Sequence, residues 1–362
     1  MNQDLQYDAI IVGGGIIGML SALHLHEAGR RVLLVERGAT GRESSWAGGG
    51  ILSPLYPWRY PDSVTELAVW GQARYPEFLQ ELHSGGGVDP EYRPSGLLIL
   101  AEDEIEKALV WASRFDATLE ATDADDAGRI APALATRRAG VWLPRVGQAR
   151  NPRLVKSARA YLDARNVPIQ EHTEVLGFLT EAGHCVGVQT QRGDLRATQV
   201  LVAGGAWSGA LLADLGSPIP IEPVRGQMIL FRGDANFLSP MVLADDRYAI
   251  PRRDGRIVMG STLEHAGFDK STTHEARDDL YEVATRMLPG LAKFEVEHQW
   301  SGLRPGKTDN IPLISEHPKL PGLFVNAGHF RNGVVLALAS TRLISDLMLG
   351  REPILNPAPY AI

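Results

Sequence analysis

A mixed α/β fold built around a parallel βαβ unit is predicted by three features of the first forty residues. Residues 7–12 form a short β-branched run, Tyr-Asp-Ala-Ile-Ile-Val. Glycines follow at positions 13, 14, 15 and 18. A second apolar run over 31–35 then closes on Glu36. Strand, turn, helix and strand within about 30 residues form the setting in which a G-x-G-x-x-G spacing signals dinucleotide binding.

Each residue of that unit has a physical task. Gly13 permits the tight turn leaving the strand, Gly15 lets the backbone approach a pyrophosphate, and Gly18 lets the helix pack closely on the sheet. Ile16 and Ile17 complete this cofactor-facing turn. Residues 19–28 read as the helix, apolar at Leu20, Leu23 and Leu25 and ended by Gly29. Its N-terminus offers free N–H groups and a positive dipole end to phosphates. Glu36 lies where a carboxylate accepts both hydroxyls of an adenosine ribose, and an acid there disfavours a 2′-phosphate. These features leave FAD and NAD both open.

The later elements narrow the choice. Residues 44–50 form a Ser/Gly-rich loop able to run its backbone beside a flat ring system. Trp46 and the apolar Ile51 and Leu52 argue against a solvated linker. Residues 199–203 read as a strand returning to the nucleotide sheet, turning at Gly204, Gly205, Ala206 and Trp207. Residues 219–232, 240–252 and 256–263 read as strands, separated by turn signals such as Arg253-Asp254-Gly255. A helix follows over 276–288, closed by Pro289 and Gly290. Near the C-terminus come a strand over 322–326, a loop over 327–333 and a helix over 334–349 ending at Gly350. That helix is apolar nearly all round, which marks a buried core helix.

Composition excludes several classes. The chain has 362 residues, enough for about two domains. Its 36 basic and 43 acidic residues leave a net charge of −7, which argues against a general basic field for nucleic acid. The single cysteine, Cys185, rules out an intramolecular disulfide and fits a reducing, cytoplasmic setting. No metal site is expected. The uncharged stretch 9–26 is broken by three consecutive glycines and holds two histidines, so neither a membrane span nor a signal peptide is expected.

Five motifs together resemble the glycine oxidases, of the D-amino-acid oxidase and sarcosine oxidase group of flavoenzymes. They are DAIIVGGGIIG at 8–18, SSWAGGG at 44–50, RYAIPR at 247–252, WSGLRPG at 300–306 and AGHFRNG at 327–333. The resemblance spans nearly the whole chain. It implies a discontinuous, Rossmann-like FAD-binding domain over 1–85, 145–217 and 300–362. It also implies a substrate domain over 86–144 and 218–299, built on a large antiparallel sheet. Homo-oligomers, specifically homotetramers, are expected from the family.

The family pattern assigns roles. Arg304 matches the substrate-carboxylate anchor, and Tyr248 points its hydroxyl at the same carboxylate. Arg331 lies next to the flavin. His329 is the nearest base candidate, but a loop-shaping role fits it better, and no catalytic acid or base is assigned. FAD is expected near Glu36, Arg37 and Val175 at the adenine side. Ser44, Ala203, Gly204 and Trp207 follow along it, with Ser45, Ala47, Gly48, Gly49, His329, Arg331, Asn332, Gly333 and Val334 toward the ring. The start of the last helix would stabilise negative charge on reduced flavin. Attachment through a cysteine within 301–309 is impossible here, so the FAD is expected to be non-covalent. Leu263 and Ile51 stand where methionines are usual beside the substrate.

The implied reaction oxidises glycine, sarcosine, N-alkyl glycines or small D-amino acids. Hydride passes from Cα to flavin N5, the imine hydrolyses, and oxygen is reduced to hydrogen peroxide. The product imine can serve synthesis of the thiamin thiazole. A D-amino-acid dehydrogenase feeding a quinone and a non-catalytic FAD-binding module remain alternatives.

Overall fold

Two eight-stranded sheets organise the chain. The computed structural model describes residues 6–216 and 219–362. The first sheet runs in the order Leu313–Glu316, Leu323–Ala327, Gly193–Val202, Tyr7–Val12, Val32–Val35, Ile169–Gln170. Every neighbouring pair on that path is parallel except the first. Parallel strands covered on both faces read as continuous apolar runs. Accordingly Ile11, Leu34 and Leu201 pack under the helices Ile16–Glu27, Asn151–Ala164 and Gly333–Leu349. On the other face Ile10, Leu33 and Val200 meet Cys185 and Val188 of the hairpin Val175–Glu181 and His184–Thr190.

The glycine turn is enforced by space. Gly13 adopts φ +114°, and a Cβ there would lie 2.5 Å from the Ala203 carbonyl oxygen. A Cβ on Gly18 would lie 1.8 Å from the Gly13 carbonyl oxygen. Side chains at these positions are impossible without moving a strand.

The second sheet runs Val296–Gly306, Glu222–Phe231, Ile257–Gly260, Arg247–Pro251, Met241–Ala244, Leu97–Leu100, Gly140–Leu143, Glu120–Thr122. It is antiparallel except where Met241–Ala244 meets Leu97–Leu100. Strand side chains alternate between faces. Phe231, Val242, Ala249 and Met259 pack toward helix His274–Met287. Met228, Met241, Leu243, Tyr248 and Ile250 pack on the opposite face, toward the first sheet's loops.

Four expectations are corrected. Residues 240–252 are two strands, because Asp245 and Asp246 take φ 49° and 59° and turn the chain into a hairpin. Aspartate tolerates this left-handed region better than most residues, and the paired geometry matches the twist of a hairpin. Residues 44–47 form one turn of α-helix rather than loop. The strand expected over 256–263 ends at Gly260. A division at 299/300 would cut the Val296–Gly306 strand, which pairs with Glu222–Phe231 on both sides of that point. Helix Phe330–Leu349 is long and apolar enough to cross a bilayer, but 72% of its apolar window is buried inside the molecule. It is the core helix that its all-round apolarity predicts.

Candidate active site

A cavity of about 340 Å³ lies between the two sheets. The G-x-G-x-x-G turn, Glu36 and Arg37 line one end. Tyr248, Arg304, His329 and Arg331 line the other. Of the residues singled out from sequence, Gly13, Gly15, Ile17, Ser44, Ser45, Gly48, Gly49 and Ile51 lie on its wall. So do Val175, Ala203, Gly204, Trp207, Gly333 and Val334.

Five lie off the wall. Ile16 is buried in the core, and its N–H already donates to Ser45 Oγ at 3.0 Å. Gly18 sits behind the turn, where its closeness to Gly13 is structural. Ala47 faces Gly302, and its carbonyl accepts from Trp300 Nε1 at 2.9 Å. Asn332 is buried beside the last helix. Leu263 is 50% exposed. Its neighbours Thr262 and Glu264 turn inward to Gln227 and Arg225, so alternation sends Leu263 outward. It does not line the cavity.

At the nucleotide end, Glu36 accepts from the Gly14 and Gly38 N–H groups at 2.7 and 2.8 Å. Arg37 stacks on the Trp207 ring, 3.6 Å from its centroid. Glu36 thus ties the second strand to the glycine turn as well as facing the cavity.

At the other end, the guanidinium of Arg304 is held by neutral acceptors. Nη2 donates to Ser261 Oγ at 2.6 Å and Nη1 to the Thr262 carbonyl at 3.1 Å. Gly226 clears room for it, since a Cβ there would lie 2.2 Å from both Nη atoms. Among the described residues, no carboxylate makes an ion pair with Arg304 or with Arg331. Burial, assisted by the Arg331 charge, lowers the Arg304 pKa from the usual arginine value. Tyr248 interacts with this guanidinium. Its hydroxyl also approaches Met228 Sδ at 3.8 Å. His329 is buried, its Nε2 is 3.1 Å from Ser340 Oγ, and burial pushes its pKa down to about 3.

Several wall residues escaped the sequence reading. Met228 and Leu55 supply apolar surface beside Tyr248. Asn151 and Asn326 also line the cavity. Each is buried with its Oδ1 unpartnered, while its Nδ2 is bonded to a backbone carbonyl. Those two oxygens are sealed from the cavity itself. Two helix N-termini and Glu36 along one elongated wall fit a hydroxyl-bearing dinucleotide such as FAD.

Comparison with known proteins agrees. The FAD dependent oxidoreductase family model matches residues 8–347. The chain is 51% identical to a glycine oxidase of Pseudomonas aeruginosa over 97% of both chains. It is 31% identical to a bifunctional protein ThiO/ThiG of Synechocystis, covering 95% of this chain and 52% of that one. The crystal structure of glycine oxidase from Geobacillus kaustophilus superposes with a TM-score of 0.92 over 98% of both chains, at 28% identity. A cavity built for FAD, a matching family model and relatives alike along their whole length place this chain in the glycine oxidase family of FAD-dependent oxidoreductases.

Proposed function

We propose that the protein oxidises glycine and related small amines to the oxo acid, releasing ammonia or amine and hydrogen peroxide. The carrying observation is Arg304, a cation on the cavity wall bound only by neutral acceptors. A substrate carboxylate completes it, and arginine's planar fork suits a bidentate carboxylate. Tyr248 adds a hydroxyl that can donate to the same group. Arg331 contributes a second positive charge. Ile51, Leu55 and Met228 form an apolar wall that keeps water from the amine carbon and limits side-chain size. FAD, held non-covalently from Glu36 to Val334, supplies the hydride acceptor.

The chain's contribution is to orient the substrate. His329 is a poor proton acceptor at neutral pH and is bonded to Ser340, so its role is to shape the loop. Cys185 is buried in the first sheet's hairpin and is no attachment point for flavin. A relative named bifunctional protein ThiO/ThiG supports a role in supplying the imine for the thiamin thiazole. A cytoplasmic homo-oligomer, with no stable membrane insertion, is the form we expect.

The test is an anaerobic titration with glycine, followed in the visible flavin spectrum. Bleaching, reversed by air, supports both the donor and oxygen as acceptor. A yellow protein that glycine does not bleach removes glycine as donor.

A further inference from the structure

Two strands of the second sheet carry the proposed substrate anchors, and both continue to the cofactor-facing segment. Residues two apart on a strand share a face. On Arg247–Pro251 and the residue after it, that face presents Tyr248, Ile250 and Arg252. On Val296–Gly306 it presents Arg304, Gly302 and Trp300. The two triplets end alike. Ile250 Cδ1 lies 2.7 Å from where a Cβ on Gly49 would be, and Arg252 Nη2 donates to the Gly49 carbonyl at 2.7 Å. Gly302 likewise has no room for a Cβ, which would lie 2.4 Å from Ala47 Cβ, and Trp300 Nε1 donates to the Ala47 carbonyl at 2.9 Å. Each strand therefore holds a substrate anchor, a close packing contact and a hydrogen-bonded tie.

Arg252 is unusual in its own right. It is 5% exposed, and its hydrogen-bond partners are neutral: Gln148 Oε1 at 2.8 Å, the Ala149 carbonyl and the Gly49 carbonyl. A buried cation without a paired carboxylate is expensive to keep. A hydrophobic residue would close this corner more cheaply if packing were all that it did.

We propose that Arg252 and Trp300 are positioning residues of the reaction: they fix the Ala47–Gly49 backbone in register with Tyr248 and Arg304, and so set the distance between bound substrate and flavin. This rests on the function proposed above. The ties act through geometry and touch neither reactant. A shift of about 1 Å at a reacting centre costs on the order of a hundredfold in rate.

The test uses the holoenzyme with Trp300→Phe and Arg252→Lys. The first removes one N–H donor and keeps an aromatic ring. The second keeps the charge and loses the fork. Three quantities are compared with wild type: the limiting rate of anaerobic bleaching at saturating glycine, the half-saturating glycine concentration, and the visible circular dichroism of the bound flavin. Expected are a limiting rate lower by tenfold or more, a half-saturation shift under threefold, and an altered flavin dichroism. FAD affinity of the apoprotein, read by flavin fluorescence, separates a structural role. If affinity or Tm falls while the rate per bound flavin and the dichroism stay at wild-type values, the ties are structural only and the proposal is overturned. If wild type itself does not bleach with glycine, the function fails instead. The dichroism then decides the ties: a change upholds them, and unchanged spectra in both variants overturn them.

Discussion

Arg304 and Gly18 show how much single residues determine here. In the function proposed above, Arg304 takes the substrate carboxylate, because its own partners, Ser261 Oγ and the Thr262 carbonyl, carry no charge. Hydrogen bonds to charged groups contribute about 1.5–3 kcal/mol each. Arg304→Ala is therefore expected to raise the KM for glycine by about a hundredfold or more. The variant should stay yellow, since the nucleotide end is untouched. Steady-state kinetics with the flavin absorbance as a loading control decides it, and an unchanged KM removes Arg304 from the carboxylate site. Gly18 acts through space alone. Its Cβ would meet the Gly13 carbonyl at 1.8 Å, inside any contact distance. Gly18→Ala should displace the turn and yield protein with little or no bound FAD, measured as absorbance near 450 nm per mole of purified chain. Full loading of that variant would show that the turn can relax.

At the scale of elements, capping and alternation explain what could be read in advance. Helix His274–Met287 begins where Thr273 Oγ1 accepts from the Ala276 N–H. Thr273→Ala should lower stability by about 1 kcal/mol, a typical loss for an N-cap, measured by denaturant unfolding of the holoenzyme. A midpoint like wild type at unchanged m-value would mean that Gln227 Oε1, which already accepts from the Thr273 N–H at 2.9 Å, takes over the cap. The first βαβ unit was legible because its glycines stand where no other residue fits, at Gly13 and Gly18. Glu36 was legible because it ends a strand whose neighbours are fully apolar. The break inside 240–252 was not, since Asp-Asp is a weaker turn signal than Asn-Gly. Met228, Leu55, Asn151 and Asn326 were missed for a different reason. They reach the cavity from two strands of different sheets, a loop and the start of helix Asn151–Ala164, and only the tertiary packing brings them together. Leu263 failed by the same rule, because the strand ends at Gly260 and the inward positions pass to Thr262 and Glu264.

The whole molecule should lose stability as pH falls from neutral, and buried histidines set the first stage. Paired carboxylates such as Glu104 and Glu264 have pKa values held below the usual carboxylate range by Arg59, and by Thr262 and Arg225. Their contribution is complete above about pH 4.5 and is lost only as pH falls further. Between pH 6.5 and 5 the histidines act alone among these groups. His24 is pushed down to about 4 by burial, helped by the Arg342 charge, and its Nε2 is sealed from solvent without a partner. The unfolded chain protonates His24 near pH 6.5, whereas the folded chain leaves it neutral until about pH 4. The unfolded state then binds more protons, so stability falls as pH falls across that window. The slope is about 1.4 kcal/mol per pH unit for each such histidine, or about 2 kcal/mol between pH 7 and 5. His329 adds a similar loss, since it stays neutral to about pH 3. Burial lowers the pKa of His317 as well, so His24→Leu removes one of three such histidines, and does so without leaving a broken hydrogen bond. The fall in Tm from pH 7 to pH 5 should therefore be smaller in His24→Leu than in wild type. Thermal unfolding of both proteins in matched buffers measures it. Parallel Tm curves would mean that His24 takes up a proton as readily in the folded chain as in the unfolded one, and that the gap between helices Ile16–Glu27 and Gly333–Leu349 admits solvent.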